Sequence, residues 1–305
     1  MLFRPSFPKN VFEFSETYLS AIALEKVGNQ YQIGRASVVS LPKNLIRPSF
    51  YEKNLMNPDE LVYLIRETTE YADLKRRKRW SVVLPNETAR TAIVTIEGEP
   101  SSKKELYEIL DWKAEKAFGV EANQIRISEE KIASDTAGKS RYIITAVKLS
   151  ILEEYETIFK MLNWKVGLIL PRLLGEMKWL LNFSIGDSIL ISFQTEGFSA
   201  IILRNSSPII LRSINCQSEE AEDEIYRLLM FYKDKIAENP ENPDRILVIG
   251  NQDQKEKMVN VLNEALGTIP KILSSEDLNF QMTATKNLNF DVIAASAGVA
   301  TLAWG

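Results

Sequence analysis

The chain has 305 residues, of which 45% are hydrophobic, and a formal net charge of −4. This length suggests about two domains of about 150 residues each, and the hydrophobic content is too high for a disordered protein. The absence of histidine and the single cysteine, Cys216, exclude Ser-His and Cys-His nucleophile pairs, most zinc sites and an internal disulfide. We therefore expect no metal site, and the charge gives no reason to expect a nucleic-acid partner.

The chain opens on two apolar strands joined by a polar turn, VFEFSETYLSAIALE at residues 11–25. A third strand follows a hairpin turn at Gly28 and Asn29. A helix is predicted to begin after Asn57, a good N-cap, since Pro58 suits the first helical position and Glu60 the third. WSVVLP and RTAIVTIEG then read as strands.

A different unit is predicted to begin near residue 96. Its helix starts at Ser101 or Ser102 and ends at Gly119, with Leu110 on the apolar face. Two strands follow it. We assign 1–95 to the first part of domain 1, 96–148 to a small inserted α/β subdomain, 149–183 to the remainder of domain 1 and 184–305 to domain 2.

The opening pattern recurs after this unit. SILISFQTEGFSAIILRNSSPIILRSI, residues 188–214, reads as three strands, and an acidic helix, the strand RILVIGN and a helix ending at Gly267 follow. The apolar run 292–304 is shorter than a membrane span requires and predicts a buried C-terminal helix, which can pack back on domain 1. The repeat predicts two similar α/β halves, each opening with a three-stranded meander.

These features resemble the actin-like ATPase superfamily, and in detail the PilM-type proteins of type IV pilus assembly with their type II secretion relative GspL. The most specific match is DWKAEKAF, residues 111–118. EFSETYLSAIAL, residues 13–24, resembles the D-I-G-S-S-S-V-K-A-V-E-L opening of that family, and the closing AASAGVATLAWG resembles its A-x-G-x-A helix. The resemblance implies an actin-like fold of duplicated ribonuclease H-like domains with a small inserted α/β subdomain.

The resemblance also implies the positions of a nucleotide site, and their chemistry has changed. Glu13 stands where the family has its first Asp, Ser15 where it has glycine and Ser20 where it has a phosphate-contacting Lys. In the second half Ser192 replaces an Asp and Gln194 a glycine. The vestigial site comprises Glu13, Ser15, Glu16, Thr17, Ser20, Ser192, Gln194, Gly197, Gly250 and Asn251.

Such changes argue against nucleotide chemistry. A side chain in place of glycine blocks the approach of backbone N–H groups to phosphate oxygens, and the lost Asp residues would have organised the metal and the attacking water. Glu16 and Glu196 add negative charge where a triphosphate would lie. We expect a pseudo-ATPase without catalytic residues or cofactor. ATP and Mg²⁺ would bind only if the motifs are less degenerate than their residues indicate. The alternatives are a weak surviving nucleotide site and unrelated ancestry.

A basic run follows the first helix. It comprises Lys75, Arg76, Arg77, Lys78 and Arg79. One interpretation is a solvated helix C-terminus, where cations complement the helix dipole. A second is contact with the anionic inner leaflet of a membrane. Nucleic-acid binding is the third, although no aromatic stacking platform accompanies the run.

The function that the resemblance implies is a non-enzymatic cytoplasmic scaffold, peripheral to the inner membrane, of a type IV pilus or type II secretion platform. It would hold the cytoplasmic N-terminal segment of a PilN-like membrane protein beside the small subdomain, and contact the assembly ATPase or copies of itself. No groove residue can be carried over. The alternatives are an active or weak actin-like ATPase or kinase, and an actin-like filament protein.

Overall fold

The computed structural model describes residues 7–135, 137–238, 243–282 and 288–304. Within these ranges fourteen strands form three sheets, and seven α-helices pack on them. The strands are β1 Asn10–Phe14, β2 Tyr18–Val27, β3 Gln30–Ser40, β4 Arg79–Leu84, β5 Arg90–Ile96, β6 Ile125–Ile132, β7 Ser140–Lys148, β8 Lys165–Pro171, β9 Asp187–Phe193, β10 Phe198–Arg204, β11 Ser207–Ile214, β12 Arg245–Ile249, β13 Lys271–Ile272 and β14 Phe280–Gln281. The helices are α1 Pro58–Tyr71, α2 Lys103–Phe118, α3 Leu149–Met161, α4 Arg172–Met177, α5 Ala221–Lys235, α6 Gln252–Leu266 and α7 Phe290–Thr301.

The two large sheets share one topology, as the sequence repeat predicts. The first has the order β14-β3-β2-β1-β4-β8 and the second β11-β10-β9-β12-β13. In each, an antiparallel meander pairs through its first strand with a parallel strand, β1 with β4 and β9 with β12. The carboxyl ends of these parallel strands therefore lie at corresponding edges of the two sheets.

The helix boundaries follow the local signals in the sequence. Asn57 caps α1 by accepting from the Glu60 amide at 3.4 Å, with Pro58 as the first helical residue. Ser102 caps α2 in the same way, and Gly119 ends it in the left-handed conformation. Helices α1 and α3 bury their apolar faces on the first large sheet, and α5 and α6 bury theirs on the second.

The small subdomain is a three-stranded antiparallel sheet, β5-β7-β6, covered by α2. Strand β5 pairs along its whole length with β7, so the subdomain begins near Arg90 and the boundary at residue 96 lies one strand too late. Period-two alternation in the sequence shows that β5 is a strand, but it does not show which strand is its partner. The loop between β6 and β7 is described except at residue 136.

The C-terminal part of the chain returns to the first large sheet. Strand β14 pairs with β3, and α7 packs on β1, β2 and β4. The packing of α7 agrees with the expectation that the C-terminal helix packs back on domain 1, and the pairing of β14 with β3 adds a strand from the second half to the first sheet. Among the described residues, no helix has the length and apolar content needed to cross a membrane.

Helices α4 and α7 cross at a pair of glycines. A Cβ on Gly298 would lie 1.9 Å from the carbonyl oxygen of Gly175, and one on Gly175 would lie 2.6 Å from the Ala295 carbonyl oxygen. Beside the crossing, the Trp179 indole N–H donates to the Ala294 carbonyl at 2.8 Å. Only glycine lets the two helix backbones come this close. The contact joins α4, which follows β8 directly, to the C-terminal helix α7.

We expect Leu110→Asp to lower the free energy of unfolding of the small subdomain by at least about 3 kcal/mol, because it buries an unpaired charge. Leu110 is 1% exposed in the core beneath α2. Ala117→Asp places the same carboxylate on the exposed side of α2 and should cost no more than about 1 kcal/mol. Urea unfolding of both variants tests this, and a Leu110→Asp protein that unfolds like wild type would show that this face is not core.

Candidate functional site

A cleft of about 420 Å³ lies between the two halves. It forms where four strands end, since its lining follows directly after β1, β4, β9 and β12. Open α/β sheets place their ligand sites at this edge. The lining residues are Phe14, Ser15, Glu16, Thr17, Tyr18, Pro48, Pro85, Asn86, Glu87, Arg172, Phe193, Gln194, Thr195, Ile249, Gly250, Asn251, Gln254, Asn289, Asp291 and Val292.

The first predicted phosphate turn is closed by its own hydrogen bonds. The Ser15 amide donates to the Tyr18 carbonyl at 3.0 Å, and the Thr17 amide donates to the Ser15 hydroxyl at 3.4 Å. Two backbone N–H groups that a phosphate loop would offer to a ligand are therefore engaged within the turn. Glu16 lies between them and lines the cleft.

The second turn is closed in a similar way. The Gln194 amide donates to the Gly197 carbonyl at 3.0 Å, and the Gln194 side chain donates to the Ser199 hydroxyl at 2.5 Å. Gly197 has a φ of +86°, and a Cβ there would lie 1.9 Å from the Ile214 carbonyl oxygen. The structure therefore assigns Gly197 to the shape of the turn, and Gly197 is not among the residues that line the cleft.

The segment after β12 forms a helix cap. The Asn251 side chain accepts from the Gln254 amide at 2.9 Å, and the Gln254 side chain accepts from the Asn251 amide at 2.9 Å, so the two make a capping box for α6. The Gly250 amide donates to the Asp291 carboxylate at 3.2 Å. Both predicted residues line the cleft, and the backbone N–H of each already has an acceptor.

Three predicted site residues lie beneath the cleft. Glu13, Ser20 and Ser192 are each 0% exposed, so the vestigial site is split between surface and core. The Ser20 hydroxyl lies 3.4 Å from that of Ser296 on α7, and the Ser296 hydroxyl donates to Glu13. These residues help to join the first sheet to α7.

Arg172 is the centre of this buried layer, and it is not among the site residues predicted from the sequence. Its Nε donates to Glu176 at 2.8 Å, one Nη donates to Glu13 at 2.7 Å, and the other donates to the Asp291 carbonyl at 2.8 Å. The same guanidinium contacts the Tyr18 hydroxyl, which also donates to Glu13 at 3.1 Å. Each of the three guanidinium nitrogens thus has an acceptor within the protein.

Burial sets the protonation tendencies of this layer. It raises the pKa of the Glu176 carboxyl, while Arg172 and then the neighbouring Ser192 hydroxyl lower it. It also raises the pKa of Tyr18, which stays a neutral phenol that donates to Glu13. The guanidinium is the positive charge that makes two buried carboxylates tolerable in the core.

The open part of the cleft is acidic. Glu16, Glu87 and Asp291 line it, and burial raises the pKa of Glu87, with the charge of Glu16 adding to the effect. Asp291 pairs with Lys255 at 2.8 Å. Arg172 is the one positively charged residue among the described residues that line the cleft. It forms ion pairs with Glu13 and Glu176. The described residues contain no group of three or more acidic or thiol side chains placed to hold a metal ion.

A second hollow, of about 360 Å³, continues the cleft toward the small subdomain. Glu87 lines both spaces, and Arg47 and Arg90 add positive charge in the second. Tyr51 is 54% exposed there, and its hydroxyl donates to the Phe118 carbonyl at 3.4 Å, at the end of α2. We call this space the tyrosine hollow, defined by Arg47, Pro48, Tyr51, Glu87 and Arg90.

The basic run lies far from the cleft, at the amino ends of the strands. The interpretation as a helix C-terminus is wrong, because α1 ends at Tyr71 and its last turn holds no basic residue. Lys75, Arg76, Arg77 and Lys78 lie in the loop that follows, and Arg79 begins β4. A helix dipole acts only over the last turn of its helix, and the basic run lies beyond the last turn of α1. The dipole therefore does not explain these charges.

Comparison with known proteins identifies the fold. No family model and no curated protein matches the sequence. The structure is similar to a chain of the PilM-PilN type IV pilus biogenesis complex, with a TM-score of 0.77, 14% identity and 98% of each chain covered. It is also similar to a Bacteroides thetaiotaomicron protein with actin-like ATPase fold and unknown function, with a TM-score of 0.54, 13% identity and 93% of each chain covered.

A third likeness is to the cytoplasmic domain of EpsL, an inner-membrane component of the type II secretion system of Vibrio cholerae. Its TM-score is 0.50, with 11% identity, and the overlap covers 96% of this chain and 94% of that one. Identities this low show the fold and not the activity. The predicted α/β actin-like fold, and the resemblance to the pilus and secretion proteins, are confirmed at that level.

We expect Arg172→Met to lower the free energy of unfolding by about 3–5 kcal/mol at pH 7.5, because it leaves Glu176 buried without its cation. Burial raises the pKa of Glu176 above its unfolded value of about 4.3, and loss of Arg172 raises it further. The folded variant then binds a proton more tightly than the unfolded chain, so its stability falls as the pH rises through the folded pKa. The deficit relative to wild type should therefore shrink at pH 5.

Urea unfolding at both pH values measures this effect. The matched control is Arg227→Met, since Arg227 is 68% exposed and pairs with Glu224 on the same helix. It should change stability by less than about 1 kcal/mol at either pH. An Arg172→Met protein with the same deficit at both pH values would contradict the assigned role of the guanidinium.

Proposed function

We propose that this chain is a non-enzymatic cytoplasmic scaffold, peripheral to the inner membrane, in a type IV pilus or type II secretion platform. The observation that carries the proposal is the overlap over 98% of both chains with a protein of the PilM-PilN complex. The likeness to the EpsL cytoplasmic domain supports the same kind of machine. The proposed ligand is the cytoplasmic N-terminal segment of a PilN-like membrane protein. Copies of the chain itself and the assembly ATPase are further proposed partners.

The non-enzymatic part of the proposal is supported by the chemistry of the cleft. Phosphate binding requires free N–H groups or free cations, and the amides of Ser15, Gln194 and Asn251 are engaged within the protein. Arg172 is committed to buried carboxylates. A triphosphate would instead meet Glu16 and Glu87, and like charges 4 Å apart repel by about 1 kcal/mol even in bulk water.

The tyrosine hollow is the proposed place for the partner segment. It lies beside the small subdomain, and its exposed aromatic ring is flanked by cations, with Arg90 at 6.0 Å and Lys148 at 5.7 Å from the ring centroid. Aromatic and arginine side chains supply much of the energy in recognition surfaces. A flexible segment loses conformational entropy on binding, so micromolar affinity is expected.

Mg-ATP is expected to give no binding heat in isothermal titration at a ligand concentration of about 1 mM, which corresponds to an affinity weaker than about −4.1 kcal/mol. The physical reason is the acidic lining and the closed turns. A dissociation constant below about 50 μM, or about −5.9 kcal/mol, would replace the scaffold by an actin-like ATPase or kinase.

Co-expression with the cytoplasmic N-terminal segment of a PilN-like protein should give a stable complex that is lost when the segment is deleted. We expect Tyr51→Ala to weaken binding of a labelled segment at least about tenfold, as loss of an aromatic anchor does. The control is Tyr63→Ala, since Tyr63 is 66% exposed on α1 and does not line the hollow. Fluorescence anisotropy measures both affinities.

Two outcomes count against different parts of this proposal. Binding that Tyr51→Ala and Tyr63→Ala leave equally intact would contradict the position of the groove. Failure of the wild-type chain to bind the segment, together with polymerisation of the chain alone, would replace the scaffold by a filament protein.

A further inference from the structure

The edge of the first large sheet opposite the cleft is strongly basic. Strands β1, β4 and β8 run parallel as neighbours, so their amino ends meet at this edge. Lys9 precedes β1, Arg79 begins β4 and Lys165 begins β8, and Arg79 and Lys165 are direct neighbours in the register. The loop before β4 adds Arg76, Arg77 and Lys78, while its fourth basic residue, Lys75, pairs with Glu70. We call this surface the basic edge, defined by Lys9, Arg76, Arg77, Lys78, Arg79 and Lys165.

The backbone holds these cations in place. The Arg77 amide donates to the Leu74 carbonyl at 2.8 Å, and the Lys165 amide donates to the Lys78 carbonyl at 2.7 Å. The Trp80 indole N–H donates to the Arg77 carbonyl at 3.2 Å, while Trp80 itself is 0% exposed. The charged side chains therefore project from a loop whose backbone is already ordered, and binding does not have to order it.

Within the described ranges these six cations have no acidic partner. Among the described residues, no carboxylate lies within 4 Å of the charged nitrogens of the basic edge, and all six side chains are exposed. The nearby acids are committed elsewhere, Glu70 to Lys75 at 2.6 Å and Asp73 to Arg35 at 3.4 Å. A chain with a net charge of −4 thus collects unpaired positive charge on one edge.

The basic edge encloses a hollow of about 440 Å³. Its lining combines Lys9 and the run from Arg76 to Arg79 with Phe7, Pro8, Ala303 and Trp304. Phe7 and Trp304 are half-buried, and the Trp304 ring lies 5.9 Å from that of Tyr31. Cations around an apolar and aromatic floor match the boundary between phospholipid headgroups and acyl chains.

We propose that the basic edge binds an anionic phospholipid bilayer, with a phosphodiester headgroup in the hollow. Basic residues near an anionic leaflet each strengthen binding, and the acidic remainder of the chain is repelled, which orients the molecule. A single-stranded nucleic acid fits less well, because its bases need open aromatic faces on which to stack. This contact adds to the proposed scaffold function but does not require the partner segment.

The test uses the full chain and vesicles of phosphatidylcholine with or without about 30% phosphatidylglycerol, an anionic content that attracts basic surfaces. Wild type should sediment with the anionic vesicles and not with phosphatidylcholine alone, and the binding should weaken as salt rises. Each basic residue contributes roughly fivefold, so the triple variant Arg76→Gln, Arg77→Gln, Lys78→Gln should bind about 100-fold more weakly.

A second triple variant, Lys116→Gln, Lys131→Gln, Lys235→Gln, controls for bulk charge. These lysines are exposed on α2, β6 and α5, and within the described structure they too have no carboxylate within 4 Å. Their loss changes the net charge by the same amount and should alter vesicle binding by no more than about twofold, since they lie outside the basic edge.

Three results would overturn the proposal. The first is equal binding of the wild type to neutral and anionic vesicles. The second is an equal loss of vesicle binding in the two triple variants. The third is displacement of the protein from anionic vesicles by inorganic phosphate or an oligonucleotide at a lower concentration than free anionic lipid requires. The last result would assign the surface to a soluble phosphate ligand or to nucleic acid. Because no partner protein is present in the assay, its failure leaves the proposed scaffold function standing.

Discussion

One guanidinium holds the centre of this molecule together. Arg172 follows β8 directly and reaches Glu13 on β1, Glu176 one helical turn further along the chain and the backbone of Asp291 on α7. Burial of two carboxylates at 1% and 0% side-chain exposure would be strongly destabilising without it, since an isolated charge in a protein core costs several kcal/mol, on the order of 3–5. This single side chain therefore joins β1, the helix α4 and the start of α7 beneath the cleft. A cation supplied by the chain itself occupies the floor of the space between the halves.

Three polar residues that line the cleft have structural roles that explain their identity. Ser15 accepts a hydrogen bond from Thr17 within its own turn, Asn251 caps a helix, and Gln194 donates to Ser199. In each case a polar side chain satisfies a donor or acceptor that would otherwise need water or a ligand. At these three positions the cleft keeps the architecture of a binding site, while its polar groups are engaged within the protein.

The sequence predicts the parts of this fold that are encoded locally. Helix α2 is bounded by Ser102 and Gly119, as capping chemistry indicates, and the repeated meander gives the duplicated topology.

The parts of the fold that the sequence does not predict depend on pairing between distant segments. Strand β5 reads as a strand but joins β7, about fifty residues later, and Arg172 meets Glu13 at a sequence separation of 159. The Arg-x-x-x-Glu spacing from Arg172 to Glu176 was the one local signal for this cluster. Ser20 and Ser192 occupy predicted site positions but are buried, because a position in a family motif does not reveal burial.

The glycine crossing of α4 and α7 has a mechanical consequence. Where side chains separate two helices, their rotamers and soft contacts can absorb a small displacement, but at Gly175 and Gly298 backbone meets backbone. A load applied to the C-terminal helix is therefore passed to the end of β8 with little elastic loss. The crossing acts as a stiff joint, and a component that is pulled or twisted from outside would transmit that force through the molecule as a unit.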